Sequence, residues 1–250
     1  MAERVKKINE ALNALIDSKY DALPADFNKT RFTENCSAYV RENSELQGLS
    51  EENVAAVLFK GAVLGLDFLA RECHAIIDGT KVQFQTDYKG EMKLAKKYSV
   101  RPILDIYAKN VHEGDEFREE IVEGRPTVHF EPRPFNNSKI IGTFAVALFI
   151  DGGMIYETIS ADEIDSIRRN YSKNSTSGTW DKSPGEMNKR TVLRRLCKTI
   201  EIDFGAEQAI AFEAGSGFEF NREARPRQKS PLVIEPEIVT EEAAHEADQG

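Results

Sequence analysis

The sequence predicts an α+β fold, a meandering antiparallel sheet flanked by helices, and three observations point to it. Hydrophobic residues recur at helical spacing through the first quarter of the chain, switch to a period of two near residue 75, and return to helical spacing late in the chain. Two strand pairs are each punctuated by a glycine turn, Asp78-Gly79 and Asp151-Gly152-Gly153. Beyond Phe220 the periodicity stops and Arg, Pro and Glu take over, which predicts a disordered acidic tail over 221–250.

Taken in order, residues 3–19 place Val5, Ile8, Leu12, Leu15 and Ile16 on one side of an amphipathic helix. A second helix is expected over 29–42. A third opens after the N-cap Ser50, and its run ENVAAVLFKGAVLGL is apolar on more than one face, which predicts burial. The stretch 75–86 reads as a hairpin whose second strand sets Val82 and Phe84 against Lys81, Gln83 and Gln85. Helical spacing resumes over 87–98. ILDIYAKNV, FREEIV and TVHFEP are strands separated by the turn signals EGD and EGRP, and IIGTFAVALFI with MIYETIS forms a further hairpin. The capping box Ser160-x-x-Glu163 starts the helix containing IDSIRRNY. A polar loop then leads to a strong helix from about 184 to 200. The expected organisation is one working unit over 1–220, with N-terminal helices in 1–65, and a tail over 221–250.

Of the 250 residues, 30% are charged and the formal net charge is −9. That balance is uneven. Residues 231–250 contain Glu235, Glu237, Glu241, Glu242, Glu246 and Asp248 with no Lys or Arg, whereas 165–200 sets nine Lys and Arg against three acids. A local basic field can bind a polyanion although the whole chain is acidic. No run of about 18 apolar residues exists, so no membrane span is expected. The N-terminus has no apolar stretch of the signal-peptide kind. Cys36, Cys73 and Cys197 are odd in number and widely spaced, the usage of reduced thiols in a cytoplasmic protein.

The basic residues form stripes. In 186–198, Arg190, Arg194 and Lys198 follow one another at i, i+4 and i+8, flanked by Arg195, opposite Val192, Leu193, Leu196, Cys197 and Ile200. Like charges at that spacing repel, so the stripe calls for a negative partner. A solvated face, the acids of the C-terminal tail and a nucleic acid each satisfy that requirement. A second stripe, Lys89, Lys93, Lys96 and Lys97, lies across its helix from Met92, Leu94, Ala95 and Tyr98. Arg168, Arg169 and Lys173 make a third cluster, where part of the charge suits a helix C-terminus. Three such groups predict a groove that follows a phosphate backbone. Lys189 projects to the apolar side of its helix, either snorkelling to water or aimed into a cleft. Trp180 and Tyr88 each read as a packing anchor or, alternatively, as a base-stacking platform.

The ordered motifs GLDFLARECHAI, QFQTDYKGEMKLAKK, VHEGDEF, ISADEIDSIRR and GTWDKSPGEMNKRTVLRRLCK resemble the RecT/Redβ superfamily of phage and prophage single-strand annealing proteins, and most nearly its RecT branch. The resemblance covers about residues 60–205. It implies an ATP-independent protein that binds single-stranded DNA, pairs it with a complementary strand and holds the annealed duplex intermediate. It also implies a homo-oligomer (ring or helical filament), a cognate exonuclease as partner, and a place in the cytoplasm of a bacterial host. The family pattern Q-x-G-Y-K-G falls on Gln85 to Gly90, with Asp87 in place of the first glycine. The pattern G-x-W…E-M-x-K-[KR]-T-x-[IL]-R falls on Gly178, Trp180, Glu186, Met187, Lys189, Arg190, Thr191, Leu193 and Arg194. Candidate DNA-contacting residues are therefore Gln83, Gln85, Tyr88, Lys89, Lys93, Lys96, Lys97, Arg168, Arg169, Lys173, Trp180, Lys189, Arg190, Arg194, Arg195 and Lys198.

No phosphate-binding G-x-x-x-x-G-K-[ST] occurs, and neither a cofactor nor a catalytic residue is expected. His112, Glu113, Asp115 and Glu116 have the composition of a metal cluster, but they straddle a turn and read as a solvated loop rather than a metal site. Passive protection of single strands is the alternative function, because coating and annealing both use basic grooves and stacking residues.

Overall fold

The computed structural model describes residues 2–171 and 182–216. Three helices come first, α1 (Ala2–Ser18), α2 (Lys29–Glu42) and α3 (Glu51–Leu64). Their ends follow the local chemistry. Asn28 Oδ1 accepts the Arg31 N–H at 2.9 Å, and Ser50 Oγ accepts the Asn53 N–H at 3.3 Å. Gly65, at φ +66°, closes α3 in the left-handed conformation that releases the chain toward Leu66. Val5, Ile8, Leu12 and Ile16 of α1 pack against Cys36 and Val40 of α2 and Val54, Leu58 and Ala62 of α3. Each such large side chain contributes about 1.5–3 kcal/mol by leaving water.

The first hairpin, β1 (Cys73–Asp78) and β2 (Lys81–Thr86), pairs Ala75 with Phe84 and His74 with Gln85. Its Phe84 face joins the helical core through Phe68, which sits between Tyr39 and Phe84. The Ala75 N–H donates to Tyr39 Oη at 3.1 Å, which fastens the hairpin to α2. Helix α4 (Tyr88–Tyr98) follows at once, capped by Asp87.

Five further strands are β3 (Ile103–His112), β4 (Glu116–Val122), β5 (Arg125–Glu131), β6 (Ile140–Phe149) and β7 (Met154–Ser160). The class is the expected α+β, and the antiparallel strands divide into three sheets rather than one continuous meander. β1 and β2 form one, β4 and β5 another, and the third has the order β3-β6-β7. Central β6 explains its own apolar run. Phe144 and Val146 face the β4–β5 hairpin, where Phe117 and Phe130 pack on Phe144, while Ala145 and Ala147 face the helices. A strand covered on both faces has no need to alternate.

Helix α5 (Ala161–Tyr171) starts where Ser160 Oγ accepts the Glu163 N–H at 3.2 Å. The second half of the predicted capping box is not used, because the Glu163 carboxylate accepts from Arg195 instead. Helix α6 (Pro184–Thr199) lays Val192, Leu193, Leu196 and Cys197 on the alanine face of β6. A further helix, α7 (Ala206–Ser216), has no counterpart in the sequence expectation. It docks on β2 so closely that a Cβ on Gly215 would stand 2.6 Å from the Phe84 ring. Lys173, Trp180 and the acidic tail lie outside the described residues.

Candidate nucleic-acid interface

Helices α4 and α6 run side by side and parallel, joined by two ion pairs in one register. Arg190 Nη2 donates to Asp87 Oδ2 at 2.6 Å, and Arg194 Nη2 donates to Glu91 Oε1 at 3.0 Å. The negative partner demanded by the Arg190–Arg194 spacing is thus an acidic pair at the same i, i+4 spacing on α4. This corrects the expected exposed face. Arg194 is 5% exposed and Glu91 1%, so the arginine stripe turns inward for half its length.

The acids respond oppositely. Burial pushes the Glu91 carboxyl above its ordinary value of 4.5, against the opposing pull of Arg194 and of the Thr86 hydroxyl, which donates at 2.8 Å. Burial also pushes Asp87 up, but His74, Arg190 and the Lys89 N–H outweigh it and hold Asp87 below 3.8. His74 Nε2 lies 3.6 Å from the oxygen that Arg190 uses. Asp87, which stands where the family pattern has a glycine, is therefore buried as a helix cap and an ion-pair partner. The glycine at the end of the Y-K-G motif has an equally local reason. A Cβ on Gly90 would stand 2.2 Å from the Glu72 carbonyl oxygen.

Most other predicted cations also have partners within the chain. Lys93 donates to Glu72 and to the Gly65 carbonyl, Lys96 to Asp105, and Lys97 to Asp26. Arg195 pairs with Glu163 and Glu157, and Lys189 with Glu186. Arg169 Nε donates to the Asp165 carbonyl, and Lys198 is exposed near the Glu91 charge. Lys89 is exposed and has no ion pair among the described residues.

One edge nevertheless gathers several candidates. The Arg190 guanidinium lies over the Tyr88 ring, 5.2 Å from its centroid, with 40% of the arginine side chain exposed. Lys89 and Lys189 flank this stack in sequence. His74, paired with Gln85, brings the polar face of the first hairpin to the same place through Asp87. The N-terminus of α4 opens here, and its dipole favours an anion. Sequence reasoning missed His74, whose only signal was its register opposite Gln85.

A family model for the RecT family matches residues 30–226. The chain belongs to the RecT family. Protein RecT of Escherichia coli (strain K12) is 25% identical over 225 residues, covering 86% of this chain and 77% of that protein. The match extends past 60–205 on both sides and takes in α2, α3 and α7. RecT membership makes this a DNA-binding protein of recombination with single-stranded DNA as its partner. Among the described residues, no helix is long and apolar enough to cross a membrane, and no group of three or more His, Cys, Asp and Glu is placed to hold a metal ion.

Proposed function

We propose that this protein anneals complementary single strands without ATP, binding the first strand along the edge where α4 begins beside Arg190 of α6. The observation that carries the reading is the Tyr88–Arg190 stack beside Lys89 and Lys189, at the N-terminus of α4. Phosphates are met by lysines and backbone N–H groups, and a base finds an aromatic face. Gln83 and Gln85 border this path. Lys198, Arg168 and Arg169 extend it, and Lys173 and Trp180, outside the described residues, belong to the same proposal. Lys93, Lys96, Lys97 and Arg195 join only by exchanging a carboxylate for a phosphate. Arg194 acts from below, by fixing α6 to α4. Binding that leaves base edges unread is what pairing of any sequence requires. A working assembly of several copies, and an exonuclease that supplies the single strand, belong to the same proposal.

Two complementary labelled oligonucleotides test it. An annealer accelerates their pairing in the absence of nucleotide, whereas a protein that merely protects single strands slows it. Slowed pairing at every ratio of protein to DNA overturns the annealing reading.

A further inference from the structure

One carboxylate is shared at the edge where α4 begins. Asp87 Oδ1 caps the helix by accepting the Lys89 N–H, which leaves Oδ2 for side chains. Arg190 Nη2 donates to Oδ2 at 2.6 Å, and His74 Nε2 stands 3.6 Å from the same atom, just beyond hydrogen-bond reach. Burial works against the Asp87 charge, yet its carboxyl stays below the ordinary 3.8 and is ionised across the neutral range. Asp87 is nearly dry, with 8% of its side chain exposed, whereas His74 and Arg190 show 31% and 40%. A carboxylate so placed needs a cation, and two side chains with access to solvent are within reach of it.

Arg190 is drawn two ways. It neutralises Asp87, and it lies over the Tyr88 ring on the proposed path of the first strand. A phosphate that drew the guanidinium away would leave Asp87 buried and unpaired, a loss that opposes binding. His74 can make that loss good, because an imidazole gains a proton near neutral pH and both its nitrogens then donate. Among the described residues, the surroundings of the ring leave this exchange open. β2 sets the neutral Gln85 opposite His74, and the Cys73 and Ala75 face of β1 is buried against the helical core. From α4 come Asp87, the exposed Lys89 and Glu91, which Arg194 holds, and from α6 comes Arg190. On the segment before β1, Glu72 accepts from Lys93. Asp87 stands where the family pattern has a glycine, so the arrangement belongs to this chain and not to the pattern.

We propose that His74 is a positioning residue for the first strand, which takes a proton from solvent and replaces Arg190 on Asp87, freeing the guanidinium for a phosphate. Single-strand binding is thereby coupled to proton uptake. The inference rests on the first-strand path proposed above and adds what controls its arginine. Affinity rises as pH falls through the imidazole range, because the protonated ring already holds Asp87 when DNA arrives. Above that range the ring is neutral, and Arg190 leaves Asp87 only at a cost to affinity.

Fluorescence anisotropy reads the coupling, with full-length protein and one labelled single strand at fixed salt, from about pH 8 to about pH 6. The parent should gain on the order of tenfold in affinity over that range. His74→Gln cannot take the proton, so its profile should be flat and its affinity on the order of tenfold below the parent's at the acid end. His74→Lys, a cation throughout, should restore tight binding with a flat profile. Asp87→Asn leaves no carboxylate to neutralise, so Arg190 is free at every pH and the profile should be flat at high affinity. Melts confirm that each variant is folded, and the two His74 variants test the coupling even where Asp87→Asn melts low. Calorimetry in buffers of different ionisation enthalpy should show proton uptake on binding by the parent and none by His74→Gln. A flat parent profile would overturn the proposal, as would a slope that survives His74→Gln, which would assign the proton to another group. A slope that survives Asp87→Asn would also overturn it, by making His74 a direct phosphate contact. Arg190→Gln that binds as the parent does at every pH would overturn the placement of the first strand, and the coupling with it. Weakened binding by Arg190→Gln beside a flat parent profile would keep that placement and remove the coupling alone.

Discussion

Arg194 and Glu91, 103 residues apart in sequence, meet at 3.0 Å with 6% and 0% of their side chains exposed. Removing one partner leaves the other charged in a dry site, whereas removing both leaves a site that apolar groups can fill. Arg194→Gln should therefore destabilise by about 3–5 kcal/mol, far beyond the effect of an exposed substitution. Glu91→Met with Arg194→Met should recover most of that loss. Urea titrations of the two single variants and the double variant measure both effects, and additive single losses would show that the pair does not act as a unit.

Asp87 links stability to acidity. Its folded carboxyl lies below 3.8, so its contribution is present above that value and is lost as pH falls through the lower folded value. Glu91 has the opposite sign. Its folded value is raised above 4.5, so its contribution is present below 4.5 and is lost as pH rises through the raised value. Asp87→Asn, which keeps a capping side chain, should melt lower than the parent at neutral pH. The difference should narrow below pH 3.8, as thermal melts in a pH series will show.

Gly90→Ala should fail for a reason unrelated to DNA. The new methyl would press on the Glu72 carbonyl, a backbone atom that cannot swing aside. A loss of about 3 kcal/mol, the upper end for overpacking, is expected as a lower denaturant midpoint with an unchanged m-value.

Lys89→Gln removes an exposed charge that holds no acid among the described residues. Stability should stay within about 0.5 kcal/mol, while the slope of log affinity for single strands against log salt should fall by about one. Fluorescence anisotropy with two unrelated oligonucleotides checks both the slope and its indifference to sequence.

Much of the fold was legible because its signals are local. Ser50, Asn28, Gly65 and Gly79 fix element ends by short-range chemistry, and the double-sided burial of β6 is written in its unbroken apolar run. Helix α7 escaped because its docking depends on a glycine meeting Phe84 from a distant hairpin, and its residues show little amphipathic pattern of their own. The candidate site was legible in composition but not in direction. The i, i+4 spacing of Arg190 and Arg194 demanded acids, and Asp87 and Glu91 carry the complementary spacing. Only the packing of α6 beside α4 reveals that the two stripes meet.

The parallel α4–α6 ladder also sets an order of events during synthesis. Each of its ion pairs joins residues separated by 103 positions, so α4 leaves the ribosome well before its arginines exist. At about 5–20 residues per second, that interval is roughly 5–20 s. Throughout it Glu91 cannot be both ionised and buried beside its arginine, and α4 cannot adopt its final seat. The nascent chain can pack α1 to α3 on the first hairpin in that interval, with the β2 side left open until α7 is made and the seat of α4 left open until Arg190 and Arg194 arrive. Replacing codons between β7 and α6 with slowly translated ones would lengthen that exposed interval without altering a single residue of the finished protein.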